Sequence, residues 1–384
     1  MKLHIASLGN PTDPRTFGGT PYFLLEEGRR SGKLSSGLDL TLDGLRPTWI
    51  HWSLRTVLSG NMPVGFQFSE QFLNAMWRRV VPGDLSGVVI NTFQLYPKKV
   101  FLQPQIQKWF YIDQTLHQLF THYNVGDRMN KRSVHKVFAR EKDQYRNSSG
   151  IFATSNWAKR SLVEFYGVAD SRVHVVPRGA NIPAAIADRM ADALPDSRDP
   201  LSESRVPLRL IFVGKEWYRK GLDRLIGAVS LAVDMGANVE LLIIGAAPDF
   251  SEANMLHPPN IKWCGAIDKV KEGERFTQLL RSADVGCLLS RAEAGGISLR
   301  EFHLAGLAVL GPDVGGAKDF SIPGAAIMVP PSASLEEIAG IILRLHRDRA
   351  ELGKMRIAAE EQKKAMTWQH ALSRIHSIIH GLNA

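Results

Sequence analysis

Short apolar runs alternate with stretches of helical period along nearly the whole chain, and this alternation restricts the fold to the parallel, doubly wound class. In the first half, Leu3–Leu8 reads as a strand, followed by a glycine-rich turn and a helix through Tyr22–Arg30. Val88–Thr92, Trp109–Asp113, Gly150–Thr154 and Val173–Val176 are further strands, the last closing before Pro177. The second half repeats the pattern. Leu208–Val213, Val239–Ile244, Ile261–Cys264, Val285–Leu289, Ala308–Leu310 and Ala326–Val329 read as strands. Helical periods lie at Leu222–Met235, Glu272–Ser282 and Ile297–Ala305, with two long helices from Leu335 onward. The stretch from Ala184 to Val206 carries Pro195, Pro200 and many Asp, Ser and Arg residues without an apolar period, so it reads as a linker or exposed loop.

The fold expected is α/β, with two Rossmann-like domains facing each other across a cleft. The boundaries expected are 1–181, a loop or linker at 182–206, and 207–366. In open α/β sheets ligands bind outside the carboxyl ends of the strands, so the cleft is the expected site. The length of 384 residues suits two domains. No run of about 18 apolar residues occurs, which argues against a transmembrane helix. Cys264 and Cys287, the two cysteines, both sit in apolar segments, which excludes a disulfide scaffold and fits a reducing compartment. The opening MKLHIASLGNPTD reaches a Gly-Asn-Pro turn within ten residues, too soon for a secretory apolar region. A cytoplasmic protein is expected.

An excess of 47 Lys and Arg over 38 Asp and Glu leaves a formal charge of +9, which points to an anionic partner. Basic clusters occur at Arg29–Lys33, Arg78-Arg79 and Lys131–Lys142. Aromatic residues do not interleave with them as a base-stacking surface requires, so no nucleic acid is expected. Peripheral contact of the first domain with an anionic membrane is the expectation for the first two clusters. The third contains Glu141 and reads as a solvated helix face.

Three loops at strand ends carry chemistry. Gly18-Gly19-Thr20 precedes the first helix and serves either as a tight turn or as a place where backbone approaches a ligand. In Gly214–Gly221, Lys215, Arg219 and Lys220 crowd three cations into six residues at a strand's carboxyl end. A diphosphate calls for that density; a solvated basic loop is the other reading. Glu293-Ala294-Gly295-Gly296-Ile297-Ser298-Leu299-Arg300-Glu301 again runs from a strand end into a helix. Gly295 and Gly296 free the backbone to approach a ligand, Glu301 could accept hydrogen bonds from a diol, and Glu293 sits nearer the cleft.

The Glu293-x7-Glu301 spacing, with Ala305–Val309 and Val314-Gly315-Gly316 behind it, resembles the signature of retaining glycosyltransferases of family 4, which have the GT-B fold. The loop Gly214–Gly221 is similar to that family's Gly-Arg-x4-Lys-Gly phosphate loop, with Lys215 in place of the arginine. Phe152–Trp157 and Val175–Asn181 resemble its approach to the second domain. Thr367-Trp368 resembles its crossover, by which a helix of about 367–384 rejoins the first domain. The resemblance is specific from about Ile151 to Phe320 and looser before Trp109.

It implies an acceptor-binding first domain and a donor-binding second domain, with a hexose moved from a UDP- or GDP-sugar to a glycan or lipid-linked acceptor. Lys215, Arg219 and Lys220 would meet the diphosphate, with backbone N–H groups of Ser298 and Leu299 assisting. Glu301 would bind the ribose, and Glu293 the donor hexose. Gly18, Gly19, Ala294, Gly295, Gly296 and Ile297 would line the donor pocket, and Gly265-Ala266-Ile267 the nucleobase. No Asp-x-Asp stands at a strand end, so no metal and no cofactor is expected. The family usually presents a His at a strand end of the first sheet. Here Asp113 stands there, either as acceptor of a proton or as a helix cap. His117 follows four residues later, either facing the cleft or lying on a helix face. A non-catalytic sugar-nucleotide binder and an epimerase of the same fold are the alternatives. A phosphorylase would need a lysine-bound pyridoxal phosphate, which nothing signals.

Overall fold

The computed structural model describes residues 2–40, 43–59, 62–125, 129–193, 207–245 and 260–381. The chain divides into two compact units, Met1–Pro177 with Leu372–Ala384, and Arg178–Ala371. The first holds a six-stranded parallel sheet of β1 (Leu3–Ala6), β2 (Ser36–Leu38), β3 (Gly87–Asn91), β4 (Ile106–Ile112), β5 (Gly150–Ala153) and β6 (Val173–Val175), in the order β2-β1-β3-β4-β5-β6. The second holds β7 (Leu208–Val213), β8 (Val239–Ile244), β9 (Ile261–Gly265), β10 (Val285–Cys287), β11 (Ala308–Pro312) and β12 (Ala326–Val329), in the order β12-β11-β10-β7-β8-β9. Every pairing in both sheets is parallel.

Parallel strands buried on both faces require continuous apolar runs, because helices cover both sides. β7 and β8 meet that requirement with LRLIFV and VELLII, and only Arg209 and Glu240 in them are not buried. The first unit carries helices α1 (Thr20–Arg30), α2 (Arg46–Leu58), α3 (Glu70–Met76), α4 (Lys98–Phe101), α5 (Leu116–His122), α6 (Lys131–Asn147) and α7 (Asn156–Arg160). The second carries α8 (Ala184–Asp192), α9 (Leu222–Asp234), α10 (Gly273–Arg281), α11 (Ile297–Leu304), α12 (Leu335–Arg347) and α13 (Arg349–Gln362). The last helix, α14 (Trp368–Gly381), passes from the second unit into the first. Among the described residues no helix is long and apolar enough to cross a membrane.

Several sequence expectations are corrected. Part of 182–206 is the helix α8 and not a loop; it buries Ala184, Ala187, Met190 and Ala191, and small alanines gave its period little apolar weight. Residues 194–206 of that expected linker lie outside the described residues. β2 was not anticipated, because an edge strand of sequence SGL, half-exposed throughout, needs no apolar run. Three helices, not two, follow Leu335. Asp348 caps α13 by accepting the Glu351 N–H at 2.8 Å, and the Thr367 hydroxyl accepts the His370 N–H at 3.2 Å in the first turn of α14. The expected boundary at 181 moves back to Pro177. Residues 178–181 are held to the start of α14, with Ala180 N–H donated to the Met366 carbonyl at 2.7 Å and Trp368 Nε1 to Asn181 Oδ1 at 3.2 Å.

Each unit has its own apolar core. In the second, α9 packs on α12, and Leu225 is fully buried. Truncating a buried leucine removes its transfer free energy and leaves a cavity, about 2–5 kcal/mol together. Leu225→Ala is therefore expected to lower the free energy of urea unfolding of the second unit by that amount, read by a probe placed in that unit.

Candidate functional site

In the second sheet the chain runs outward through β7, β8 and β9, then returns to lay β10 beside β7. Phe212 stands opposite Cys287 in that pairing. This reversal of strand order opens two carboxyl ends side by side, the place where doubly wound sheets bind ligands. The loop Gly214–Gly221 leaves β7 there, and the loop Leu288–Gly296 leaves β10.

The two loops are joined through their backbones. Leu289 N–H is donated to the Lys220 carbonyl at 3.3 Å and Arg291 N–H to the Arg219 carbonyl at 2.8 Å. This diversion of the Leu289 N–H explains why β10 ends at Cys287 and not at Leu289. Gly221 sits at φ 71°, and a Cβ there would stand 2.1 Å from the Leu289 carbonyl oxygen, so no side chain fits. A Cβ at Gly214 would stand 2.5 Å from Lys220 Cδ; the lysine stem lies across that glycine.

Glu293 is buried between the loops. Its Oε2 receives the Ser290 hydroxyl at 3.1 Å, Lys220 Nζ at 3.4 Å and Arg219 Nη1 at 3.5 Å. Arg219 also donates to the Ala292 carbonyl at 2.8 Å and pairs with Glu216. Burial by itself pushes the Glu293 carboxyl up. The Lys220 ammonium, the Arg219 guanidinium and the Ser290 hydroxyl outweigh it and hold the group below its usual range, so Glu293 is ionised. Lys215 stands exposed on the same loop.

The second carboxylate lies on α11. That helix starts at Gly296, φ 92°, with no side chain capping its first turn. Leu299 N–H turns back to the Gly296 carbonyl at 3.0 Å, and the buried Ser298 hydroxyl has no partner among the described residues. Ala294 is buried and Ile297 half-buried; a Cβ on Gly295 would stand 2.4 Å from the Phe320 ring. Glu301 is fully buried. Its Oε1 accepts Lys269 Nζ, which also sits 4.7 Å from the centre of the Phe276 ring. Its Oε2 has no hydrogen-bond partner among the described residues. A buried carboxylate oxygen left unpaired is costly unless something donates to it, and a sugar diol offers such donors.

Lys269 was missed in the sequence because Asp268-Lys269-Val270-Lys271-Glu272 reads as a solvated charged loop. Ser290 was missed too, although its place just beyond a strand end was the available signal. Gly265, at φ 72°, ends β9 and accepts Gly245 N–H at 2.9 Å; Ala266 is exposed and Ile267 packs at the core's margin. These three residues lie three strands away from β10 in the sheet order. Among the described residues no group of three or more His, Cys, Asp and Glu could hold a metal ion.

In the first unit, Gly18 and Gly19 adopt φ 66° and 85° and lead into α1, with Phe17 also left-handed at φ 46°. Asp113 is half-buried just beyond β4. The cap of α5 is Thr115, which exchanges hydrogen bonds with Gln118, so the capping alternative for Asp113 is corrected. His117 stacks on Phe165 at 3.7 Å between ring centres, and burial lowers its pKa. The expectation of a solvated α6 also fails at Glu141, which is fully buried. Its Oε1 accepts the Leu116 N–H at 2.8 Å and the Tyr145 hydroxyl at 2.7 Å, and its Oε2 accepts the Tyr166 hydroxyl. Tyr166 in turn accepts the His117 N–H at 3.1 Å, so this cluster fixes the start of α5.

Burial raises the Glu141 pKa from 4.5 to about 7, against the pull of its three donors. A carboxyl raised in the folded state binds more protons there than in the unfolded chain between these values, so its contribution to stability falls as pH rises through that window. Stability of the first unit measured from pH 4.5 to 7 is expected to decline by this contribution, and Glu141→Gln to flatten the decline.

Residues 207–348 match the family model described as glycosyl transferases group 1. A D-inositol 3-phosphate glycosyltransferase of Nocardiopsis dassonvillei is 23% identical over 249 residues, covering 62% of this chain and 57% of that protein. The chain thus spans little more than half the length of that relative. Among solved structures, sucrose-phosphate synthase from Thermosynechococcus elongatus superimposes with a TM-score of 0.68 at 15% identity, covering 100% of this chain and 99% of that one. Anabaena HepE in complex with UDP superimposes with a TM-score of 0.67 at 15% identity, covering 99% and 100%. The chain therefore has the two-domain GT-B fold, and residues 207–348 of its second unit match the glycosyl transferases group 1 family.

Proposed function

We propose that the chain is a retaining glycosyltransferase that moves a hexose from a UDP- or GDP-sugar to a glycan or lipid-linked acceptor, in the synthesis of cell-surface polysaccharide or glycolipid. The observation that carries this reading is the ionised Glu293 held by Lys220 and Arg219 beside the glycine-initiated α11, with Glu301 buried one turn further in. The UDP bound in the HepE structure supports the donor class. The relative named for inositol 3-phosphate supports transfer chemistry.

In the transfer, the bond between the anomeric carbon and the diphosphate oxygen breaks, and the diphosphate leaves with the electron pair. The acceptor oxygen bonds to the same face of the sugar and gives up its proton. Charge develops on the departing diphosphate, so cations fixed in advance are the effective catalysts. Lys220 is held close by its salt bridge to Glu293, and Lys215 and Arg219 stand on the same loop. Glu293 contacts the hexose near its 3-hydroxyl. Glu301 accepts the ribose hydroxyls on its Oε2, while Lys269 compensates the charge on Oε1. Asp113 and His117 are assigned to the acceptor side, with Asp113 taking the proton. Transfer of label from a panel of labelled nucleotide sugars to a glycan or lipid extract tests the reading. Donor bound with no label moved to any acceptor would leave a sugar-nucleotide binder, and donor converted to its epimer an epimerase.

The lysines supply the positive charge here, so turnover is expected to survive excess chelator. Loss of activity with rescue by magnesium or manganese would overturn that assignment.

The two carboxylates are expected to separate in their effects. Ribose is the same in substrate and product, and losing a charged hydrogen bond to it is worth about 1.5–3 kcal/mol. Glu301→Ala should therefore weaken binding of the bare nucleoside diphosphate by about 10- to 100-fold. Glu293→Gln should leave that affinity nearly intact and lower kcat, since the sugar it touches changes charge during the reaction. Calorimetric titration beside turnover decides it, and equal loss of nucleotide affinity in both variants, or no change in either, would overturn these roles.

A further inference from the structure

One helix of the first unit is built inside out. The half-buried positions of α2 carry Thr48, Trp52, Ser53 and Thr56, and no residue of the helix is buried. Trp49, Ile50, Leu54, Val57 and Leu58 all stand exposed, Leu54 at 60% and Leu58 at 86%. Ile50, Leu54, Val57 and Leu58 follow one another at helical spacing, so they form a single stripe with Trp49 at its margin. A surface helix ordinarily turns such a stripe to the core, and an apolar face left in solvent marks a surface that meets something else.

Charge identifies the occupant. Residues 44–69 contain no Asp or Glu, whereas Arg46 and Arg55 lie exposed on the helix itself. Arg78, also exposed, donates to the Asp43 carbonyl just ahead of the helix and adds a cation at that end. The basic cluster at Arg29–Lys33 is a weaker candidate surface, because Arg30 is paired with Glu27 and Lys33 is donated to Ser373. An apolar stripe with a tryptophan at its edge and arginines beside it matches the acyl and headgroup layers of a bilayer.

A second copy of this chain is the poorer match. The helix has 13 residues and is about 20 Å long and 10 Å wide, far short of the roughly 800 Å² per partner of a standard interface. A symmetric pair would also bring the arginines of one copy against those of the other. We propose that α2 lies in the surface of an anionic lipid bilayer, its stripe at the acyl boundary and Arg46 and Arg55 at the lipid phosphates. None of the residues assigned to sugar transfer is involved, so the two readings stand or fall separately.

The test is co-flotation of the full chain with vesicles of phosphatidylcholine alone or mixed with phosphatidylglycerol, at low and raised salt. The chain is expected to float with the mixed vesicles at low salt and to be released by salt. Arg46→Gln and Arg55→Gln should each lower partitioning about five-fold. Leu54→Gln with Leu58→Gln should lower it more than ten-fold, with the melting temperature and nucleoside-diphosphate binding unchanged because both side chains are exposed. The proposal is overturned if the chain stays unbound with mixed vesicles at low salt, or floats equally on phosphatidylcholine alone. It is overturned as well if the leucine variant floats like the original chain, or if that variant instead abolishes a concentration-dependent dimer.

Discussion

The Glu293 carboxylate can be buried as an ion only because two cations and a hydroxyl are brought to it, and the architecture of the second unit is what brings them. Lys220 and Arg219 come from the loop after β7, Ser290 and Glu293 from the loop after β10. These loops are separated by some 70 residues of sequence and become neighbours because the strand order reverses between β7 and β10. Gly221 then lets the backbones close to hydrogen-bonding distance. Remove the reversal or the glycine, and the carboxylate loses the charges that keep it ionised.

The second half of the fold was legible because its strands satisfy one demand, burial on both faces. β7 and β8 coincide with the apolar runs read from the chain. Where that demand lapses, so does the signal. The edge strand β2 is half-exposed and spelled SGL, and α8 buries mainly alanines. The residue types of the candidate site were legible for a related reason: glycines and clustered cations at strand ends have few other uses. Their pairings were not. Lys215, Arg219 and Lys220 look alike in a sequence, yet Lys215 is exposed while the other two share one carboxylate oxygen.

Lys269 and Glu141 show the same limit from opposite sides. Lys269 sits among charged neighbours and reads as solvated, but it pairs with a wholly buried carboxylate on a helix that begins 28 residues later. Glu141 lies in a strongly basic helix, yet it turns inward to satisfy an N–H and two hydroxyls. In α2 the limit is one of orientation. Its composition is amphipathic enough to form a helix, and only the structure reveals that the apolar side faces away from its own unit.

The passage of α14 between units has a consequence for the order of synthesis. Leu372, Ile375 and Ile379 are buried and belong to the first unit, but the ribosome makes them after the whole of Arg178–Ala371. At roughly 5–20 residues per second, the nascent first unit waits about 10–40 s for its last helix. Over that interval the apolar surface destined for these three side chains is open to chaperones or to neighbouring nascent chains. The second unit, continuous in sequence, carries no such delay.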